Sequence, residues 1–318
     1  MLLTEREVMN NQIQALLDSV EQVIVGKRPV ITRVVAALLC NGHVLIEDVP
    51  GVGKTQLAAS LSRSLGGSFN RIQLTPDIMP SDVVGFSMVD QQTGKLEYRP
   101  GAAMCNFLLA DEINRASPKV QSSLLEVMEE YQISLDGQTR PLPRPFMVLA
   151  TQNPVETYGT YHLPEAQMDR FFMRISMGYP TPEEEMRILE RTEQKNPIKK
   201  NKAPAVTLDS VLRLQQQVAQ VTVADSVKAY ILSIVSATRS MEEVTLGVSP
   251  RGSIALYKAA KANAFMFERS YVTPGDVKAM AECVLAHRIL LSAKGKTVFG
   301  TPQACLASVL DRVAVPMG

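Results

Sequence analysis

The chain has 318 residues, 46% of them hydrophobic and 20% charged, which matches an ordinary globular protein and excludes extensive disorder. Its 33 Lys and Arg residues balance 32 Asp and Glu residues to a net charge of +1. No global field therefore attracts nucleic acid or anionic membranes, although a local basic patch is not excluded.

The N-terminal stretch is unlike a signal peptide. Its opening residues, MLLTEREVMNNQ, contain two acids and no long apolar run, and no apolar stretch long enough to span a membrane occurs in the sequence. The cysteines are widely spaced and form no CxxC pair, which favours reduced structural thiols over a zinc site or a disulfide framework: Cys40, Cys105, Cys283 and Cys305. These features predict a cytoplasmic protein with no membrane span.

The first half of the chain alternates short apolar runs with segments of helical periodicity. The helical segments cover residues 55–65 and Pro118–Glu130, and the apolar runs predict buried strands at Val44–Glu47, 107–110, 146–151 and 171–177. Strands that alternate with helices form a parallel sheet covered on both faces. The first half is therefore predicted to be an α/β domain.

Two further segments predict β-hairpins that project from an edge or end of this sheet. In the first, strands at Phe86–Val89 and 96–98 flank the polar residues 91–94. In the second, Ile133 and Leu135 precede Asp136-Gly137, a pair favoured in tight hairpin turns.

After Tyr179 the strands are predicted to stop and the pattern becomes helical. Thr181-Pro182, Ser249-Pro250 and Thr273-Pro274 each place a capping residue before a first-turn proline, which begins a helix. Residues 194–204 hold four lysines and two prolines, a composition that favours a solvated connector over a nucleic-acid-binding segment. The length of the chain favours two domains over one, so this helical region is expected to form the second domain.

The first candidate site is the loop DVPGVGKT at residues 48–55, which follows a strand and opens a helix. That context is the one a phosphate-binding loop requires, and a mere tight turn would not need Lys and Thr after its glycines. Gly51 and Gly53 allow backbone N–H groups to turn around phosphates. Lys54 would reach the β- and γ-phosphates, and Thr55 would bind Mg²⁺. Asp48 departs from the strict signature, which has glycine there.

A pair of acids, Asp111 and Glu112, closes the second predicted strand at the edge where ligands gather in parallel sheets. Asp111 would hold Mg²⁺ through the water shell of the ion, and Glu112 would polarise the attacking water. Two acids are often only the solvated end of a strand, but the phosphate-binding loop upstream favours the catalytic interpretation.

Three further residues follow in an informative order. Asn153, after another apolar strand, can orient the same water, whereas Arg170 and Arg251 carry the planar cation that suits a phosphoryl group. Taken singly, each arginine is better explained as a surface charge or an ion-pair partner. Their order after the phosphate-binding loop is the reason to assign them to the site.

The order GxGKT, hydrophobic-DE, TQNP, DRF and SPR resembles that of the AAA+ ATPases, from about Val25 to Arg251. The runs LADEINRA at 109–116 and GTYHLPEAQMDRF at 159–171 are similar to signature runs of the MoxR family. Asp48 also fits that family, which often has an acid there, whereas His162 stands where the family has proline.

The resemblance implies an α/β fold: an AAA+ P-loop αβα core with a parallel five-stranded sheet and β-hairpin insertions, followed by an all-helical lid. It divides the chain into a core at 1–180, a linker and connecting helix at 181–204, and a lid at 205–318. It implies ATP and Mg²⁺ as cofactors and a ring, usually a hexamer.

The family roles implied for the site carry over residue by residue. Asn153 becomes the first sensor, Arg170 the finger offered to a neighbour's nucleotide, and Arg251 the second sensor, in its own subunit or across the boundary. Val25 and Gly26 resemble the segment beside the adenine, although they fit a helix-connecting turn equally. The nucleotide-binding set is Val25, Gly26, Pro50, Gly51, Val52, Gly53, Lys54, Thr55 and Gln56, the metal ligands are Thr55 and Asp111, and the catalytic set is Glu112, Asn153, Arg170 and Arg251.

The resemblance implies a chaperone-like role in the maturation of a partner protein or in metal insertion, with von Willebrand A-type metal-adhesion proteins as partners. One alternative is a DNA translocase or helicase-like motor. The hairpins argue against it, because their few basic residues lack an interleaved aromatic platform: Lys95, Arg99, Arg140 and Arg144. Another alternative is a nucleotide-regulated scaffold that does not hydrolyse ATP, for which Glu112 and Arg170 would be unnecessary.

Overall fold

The computed structural model describes residues 9–92, 94–154, 160–161, 163–193 and 203–316. Most of the predicted connector at 194–204 lies outside the described residues, as do Gly159 and His162 of the quoted signature run.

Eleven strands occur in the described part of the chain. They are β1 Val44–Glu47, β2 Phe69–Gln73, β3 Phe86–Val89, β4 Leu96–Arg99, β5 Phe107–Asp111, β6 Gln132–Leu135, β7 Gln138–Pro141, β8 Met147–Gln152, β9 Met173–Ile175, β10 Val244–Leu246 and β11 Leu290–Leu291.

The α-helices of the same described ranges are α1 Asn11–Glu21, α2 Arg28–Leu39, α3 Lys54–Leu65, α4 Pro80–Val84, α5 Pro118–Glu130, α6 Glu165–Met168, α7 Pro182–Glu193, α8 Leu208–Gln220, α9 Asp225–Ser240, α10 Pro250–Met266, α11 Pro274–Leu285, α12 Ala293–Phe299 and α13 Pro302–Arg312.

The central sheet has five parallel strands in the order β2-β5-β8-β1-β9. Successive residues of a strand point to opposite faces, and both faces are covered. In β1, Val44 and Ile46 pack into one apolar core while Leu45 packs into a second core on the other side. The predicted αβα arrangement is confirmed.

The strand β2 was not predicted from its own residues, because it lies at the edge of the sheet and is only half-buried, so it lacks a continuous apolar run. Both predicted hairpins are confirmed. The strands β3 and β4 pair antiparallel, as do β6 and β7. Asp136 and Gly137 adopt φ of 52° and 70°, as the tight turn between β6 and β7 requires.

The C-terminal region is helical, and three predicted helix starts are found at Pro182, Pro250 and Pro274. The prediction that strands stop after Tyr179 needs one correction. The strands β10 and β11 pair antiparallel in a short ribbon, too short to give a periodic signal in the sequence. The helices α8 and α10 share the apolar core that contains α2 and one face of the sheet, so the lid packs on the core domain.

The described part of the chain contains no helix that is both long enough and apolar enough to span a membrane. All four cysteines carry free thiols, and three of them are buried.

A buried histidine before β1 gives the fold a pH dependence. His43 Nδ1 accepts a hydrogen bond from the Val148 N–H (3.0 Å), and its Nε2 lies 2.9 Å from the carbonyl oxygen of Met128. The neutral ring satisfies both partners, whereas a second proton would face the Val148 N–H. Burial accordingly lowers the pKa of His43 from 6.5 to about 4.

We expect this histidine to make the protein less stable in acid. Between pH 6.5 and pH 4, His43 binds a proton in the unfolded chain but stays neutral in the folded protein. The contribution of His43 to the free energy of unfolding is therefore fully present above pH 6.5 and decreases as the pH falls through that window. The free energy of unfolding of the wild type, relative to a His43→Gln variant, should decrease by about 2 kcal/mol between pH 7 and pH 5. Denaturant titrations at both pH values measure it, and a difference independent of pH would contradict it.

Candidate functional site

The predicted phosphate-binding loop connects β1 to α3, at the carboxyl edge of the sheet. Gly51 and Gly53 have φ of 87° and 92°, which side chains other than glycine rarely adopt, and the space beside Gly51 is open. The loop leads into the first turn of a 12-residue helix, where backbone N–H groups have no partner within the helix. The loop therefore has the backbone form and position that bind an anion.

Asp48 stands where the strict signature has glycine, and the structure gives it a role. Its carboxylate accepts hydrogen bonds from the Ser176 hydroxyl (3.1 Å), the Met177 N–H and the Gly178 N–H (3.3 Å). These residues follow β9, the neighbour of β1 in the sheet. Asp48 thus ties the start of the loop to the adjacent strand end.

A cleft of about 360 Å³ opens in front of this loop. It brings together the loop, the two acids that end β5 and the polar end of β8, and it is lined by Pro50, Gly51, Gly53, Lys54, Thr55, Gln56, Arg71, Gln73, Asp111, Glu112 and Asn153. Lys54 Nζ donates to the carbonyl oxygen of Asp48 (2.8 Å), so its ammonium lies over the loop. The sequence-predicted residues from three separated segments meet in one place.

Val25, Gly26 and Val52 do not line this cleft. Val25 and Gly26 lie in the turn between α1 and α2, where Gly26 has φ of 72° and faces the side chain of Glu184. Val52 packs against the apolar core. The adenine-side role of Val25 and Gly26 stays a prediction.

The two acids at the end of β5 have different surroundings. Asp111 accepts hydrogen bonds from the Thr151 hydroxyl (2.5 Å) and from the Arg71 guanidinium (2.7 Å). Glu112 has φ of 58°, a left-handed backbone that is uncommon for a residue with a side chain, and its N–H donates to the Thr151 hydroxyl (2.9 Å). Such strain occurs preferentially at functional sites, and here it turns the Glu112 side chain out of the strand into the cleft.

Two arginines contact these acids without having been singled out in the sequence. Arg71, on β2, pairs with Asp111, and Arg115 pairs with Glu112 at 3.0 Å. Arg71 was missed because β2 gives no apolar run, whereas Arg115 lies inside the quoted LADEINRA run.

The residues present fit a nucleotide with Mg²⁺. The cleft offers a hydroxyl at Thr55 and a carboxylate at Asp111 for a hard cation, and a lysine with a helix N-terminus for phosphates. Glu112 and Asn153 stand on the same cleft as a candidate base and a candidate water-orienting amide. This donor set can hold a triphosphate and activate water.

Arg170 and Arg251 do not line the cleft of their own chain. Both guanidiniums pair with one carboxylate, Glu129 near the end of α5: Arg170 Nη1 lies 2.9 Å from Glu129 Oε2, and Arg251 Nη2 contacts Glu129 Oε1. The structure therefore brings the two predicted arginines together, on a surface apart from Lys54 and Glu112. The sequence analysis did not single out Glu129, the carboxylate that both arginines contact.

Comparison with protein families gives two matches along the chain. Residues 43–173 match the ATPase family associated with various cellular activities (AAA), and residues 236–303 match the AAA lid domain. The first match contains the cleft residues from Lys54 to Asn153, and the second contains Arg251.

Individual relatives match over most of the chain. It is 48% identical to Uncharacterized protein YeaC of Bacillus subtilis, over 95% of this chain and 94% of that protein. It is 41% identical to Chaperone MoxR1 of Mycobacterium tuberculosis, over 96% and 82%, and 31% identical to Protein MoxR of Paracoccus denitrificans, over 85% and 86%. A crystal structure of a candidate ATPase from Cytophaga hutchinsonii superposes with a TM-score of 0.89 at 38% identity, covering 96% of both chains.

Proposed function

The chain belongs to the MoxR family of AAA+ ATPases, and on this premise we propose that it hydrolyses ATP with Mg²⁺ to remodel or mature a partner protein. The proposed assembly is a homo-oligomeric ring, a hexamer. Residues 1–180 would form the nucleotide-binding core, 181–204 the linker and connecting helix, and 205–318 the lid. The observation that carries the proposal is the cleft in which Lys54, Thr55, Asp111, Glu112 and Asn153 meet.

Each cleft residue has a distinct task in the proposed hydrolysis. Lys54 and the loop N–H groups hold the phosphates, while Thr55 and Asp111 hold the cation. Mg²⁺, when bound, neutralises charge that develops during phosphoryl transfer. Glu112 takes a proton from the attacking water, and Asn153 orients that water.

We further propose that Arg170 and Arg251 serve the nucleotide of the adjacent subunit. Their shared contact with Glu129 places both on one surface, away from the cleft of their own chain. A head-to-tail interface in a ring brings one surface of a subunit against a different surface of the next. This arrangement would present both guanidiniums to the neighbour's γ-phosphate.

For the partner we propose a von Willebrand A-type metal-adhesion protein, as the family resemblance implies, with metal insertion as one form of the maturation. The experiment is the ATPase rate of the protein alone, with such a partner, and with single-stranded DNA. Stimulation by the partner supports the proposal, and stimulation only by DNA would favour a translocase. Two basic residues of the hairpins are already engaged within the chain, which argues against a role in DNA binding: Arg140 stacks over Tyr98 at 4.3 Å, and Arg99 pairs with Glu97 at 2.9 Å.

Lys54→Ala is expected to abolish ATP binding or turnover without unfolding the protein. The Lys54 ammonium donates a hydrogen bond to the loop carbonyl oxygen of Asp48. Its charge is therefore available to phosphates, and the side chain contributes little to the stability of the core. Nucleotide affinity and thermal midpoint should be measured together, with Lys278→Ala, an exposed lysine of α11, as the control. Unchanged affinity for ATP with Mg²⁺ would remove the loop from the active site.

A further inference from the structure

The residue before Arg170 joins the core to the lid. Both carboxylate oxygens of Asp169 are bound by lid side chains. Oδ1 accepts from Arg288 Nε (2.7 Å), and Oδ2 accepts from the Ser249 hydroxyl (2.7 Å). The lid is therefore attached at the corner that carries Arg170.

Arg288 also holds the backbone on both sides of Arg170. Its side chain is 2% exposed, and Nη2 donates to the carbonyl oxygens of Asp169 (3.0 Å) and Phe171 (2.7 Å), while Nη1 reaches that of Phe172 (3.4 Å). A buried guanidinium is stable only when its charge and its N–H groups are satisfied. These contacts thus commit Arg288 to one position and fix the backbone from which Arg170 projects.

Ser249 makes the matching connection to the second arginine. Ser249 is the N-cap of α10, and its hydroxyl accepts a hydrogen bond from the Gly252 N–H (3.2 Å) while it donates one to Asp169. Arg251 lies two residues later, in the first turn of the same helix. Asp169 therefore links the two arginines: it directly precedes Arg170 in the chain, and its carboxylate binds the N-cap of the helix that carries Arg251.

The two arginines converge in front of this junction on the single carboxylate of Glu129, each on its own oxygen. Their guanidiniums are therefore spaced to bind two oxygens of one small anion together. The contacts of Asp169 with Ser249 and Arg288 set that spacing, because they connect α10 to the residues that follow α6.

We propose that Asp169 and Arg288 are positioning residues that hold Arg170 and Arg251 as one pair, delivered together to a single γ-phosphate of the next subunit. This inference rests on the proposed function, in which the arginines act across the subunit boundary. The lid and the Arg170 corner then move as one unit, and the catalytic geometry depends on a buried salt bridge that touches no nucleotide.

The test begins with Arg288→Gln. Displacing a reacting group by about 1 Å costs up to about 100-fold in rate, so turnover per subunit should fall by at least about tenfold while the affinity for ATP changes by less than about twofold. Asp169→Asn, which keeps the size and loses the charge, should behave in the same way, and Arg288→Lys should recover part of the rate.

Subunit mixing separates positioning from general damage. Arg288→Gln retains its own cleft, so mixing it with Lys54→Ala, which retains its arginine pair, should raise activity above the sum of the two alone. Mixing Arg288→Gln with Arg170→Ala should give no gain, because both lack a competent pair. Gain in both mixtures, or in neither, overturns the inference.

Ser249→Ala keeps the inference testable if Arg288→Gln does not fold. Its matched control is Ser292→Ala, since Ser292 caps α12 with the same bond to a glycine N–H (3.1 Å at Gly295) and does not contact Asp169. Both variants should lose a helix cap and similar thermal stability, but only Ser249→Ala should lose turnover, by about fivefold. Equal turnover in the two variants overturns the inference.

The mixture of Arg170→Ala with Lys54→Ala distinguishes the two levels of the account. If that mixture recovers activity while the Arg288 and Ser249 variants fail to follow the pattern above, the positioning inference is wrong and the shared site stands. If it recovers none in confirmed mixed rings, the shared site itself is wrong.

Discussion

Glu112→Gln should bind ATP as tightly as the wild type and hydrolyse it at least about 100-fold more slowly, because the amide preserves the size of the side chain and cannot take a proton from water. The unusual backbone at Glu112 should persist, since its N–H bond to Thr151 does not involve the side chain. Nucleotide affinity and single-turnover hydrolysis measure the two effects separately.

The control for this variant is Glu282→Gln, which removes one exposed carboxylate from α11 in the lid. It should leave both binding and hydrolysis at wild-type values. Normal turnover in Glu112→Gln would show that Glu112 is only the solvated end of β5, and the proposed roles of the cleft residues would have to be reassigned.

Arg170→Ala should bind ATP nearly normally and lose turnover by a factor on the order of 10³ or more, at every protein concentration. A guanidinium supplied by a neighbour stabilises charge on the transferring phosphoryl group and adds little to binding within a single chain. Arg251 would keep its contact with Glu129, so the surface should stay folded. Wild-type turnover per subunit should rise with protein concentration as rings assemble.

Arg213→Ala, an exposed arginine of α8, is the control for the loss of one positive charge, and it should turn over ATP at the wild-type rate. A loss in Arg170→Ala that is accompanied by weak ATP binding would point instead to a structural ion pair between Arg170 and Glu129. Turnover independent of protein concentration in the wild type would point the same way.

The fold and the cleft were largely predictable because their signals are local. A loop such as 48–55 contains its own glycines, lysine and threonine, and an acid pair such as Asp111 and Glu112 follows its own apolar strand. Parallel strands bring their carboxyl ends to one edge, so residues far apart in the chain could be expected to meet there. The edge strand β2 was not predicted, because a half-buried strand lacks the continuous apolar run on which such a prediction depends.

The arrangement around the arginines could not be predicted from the sequence. Glu129 meets Arg251 across 122 positions of the chain, and Arg288 meets Asp169 across 119. Such contacts depend on how the lid packs against the core, and nothing in the local residues around Glu129 or Arg288 distinguishes them from other charged residues. The order of the motifs identified Arg170 and Arg251, but it left open whether Arg251 serves its own subunit.

The shared active site is tested most directly by mixing Arg170→Ala subunits with Lys54→Ala subunits, each inactive alone, and assaying ATP hydrolysis. In a mixed ring, the intact cleft of an Arg170→Ala subunit can lie against the intact arginine of a Lys54→Ala subunit. Random mixing in equal amounts makes about a quarter of the interfaces competent, so up to about a quarter of wild-type turnover should return. No recovery in rings confirmed to contain both variants would contradict the account.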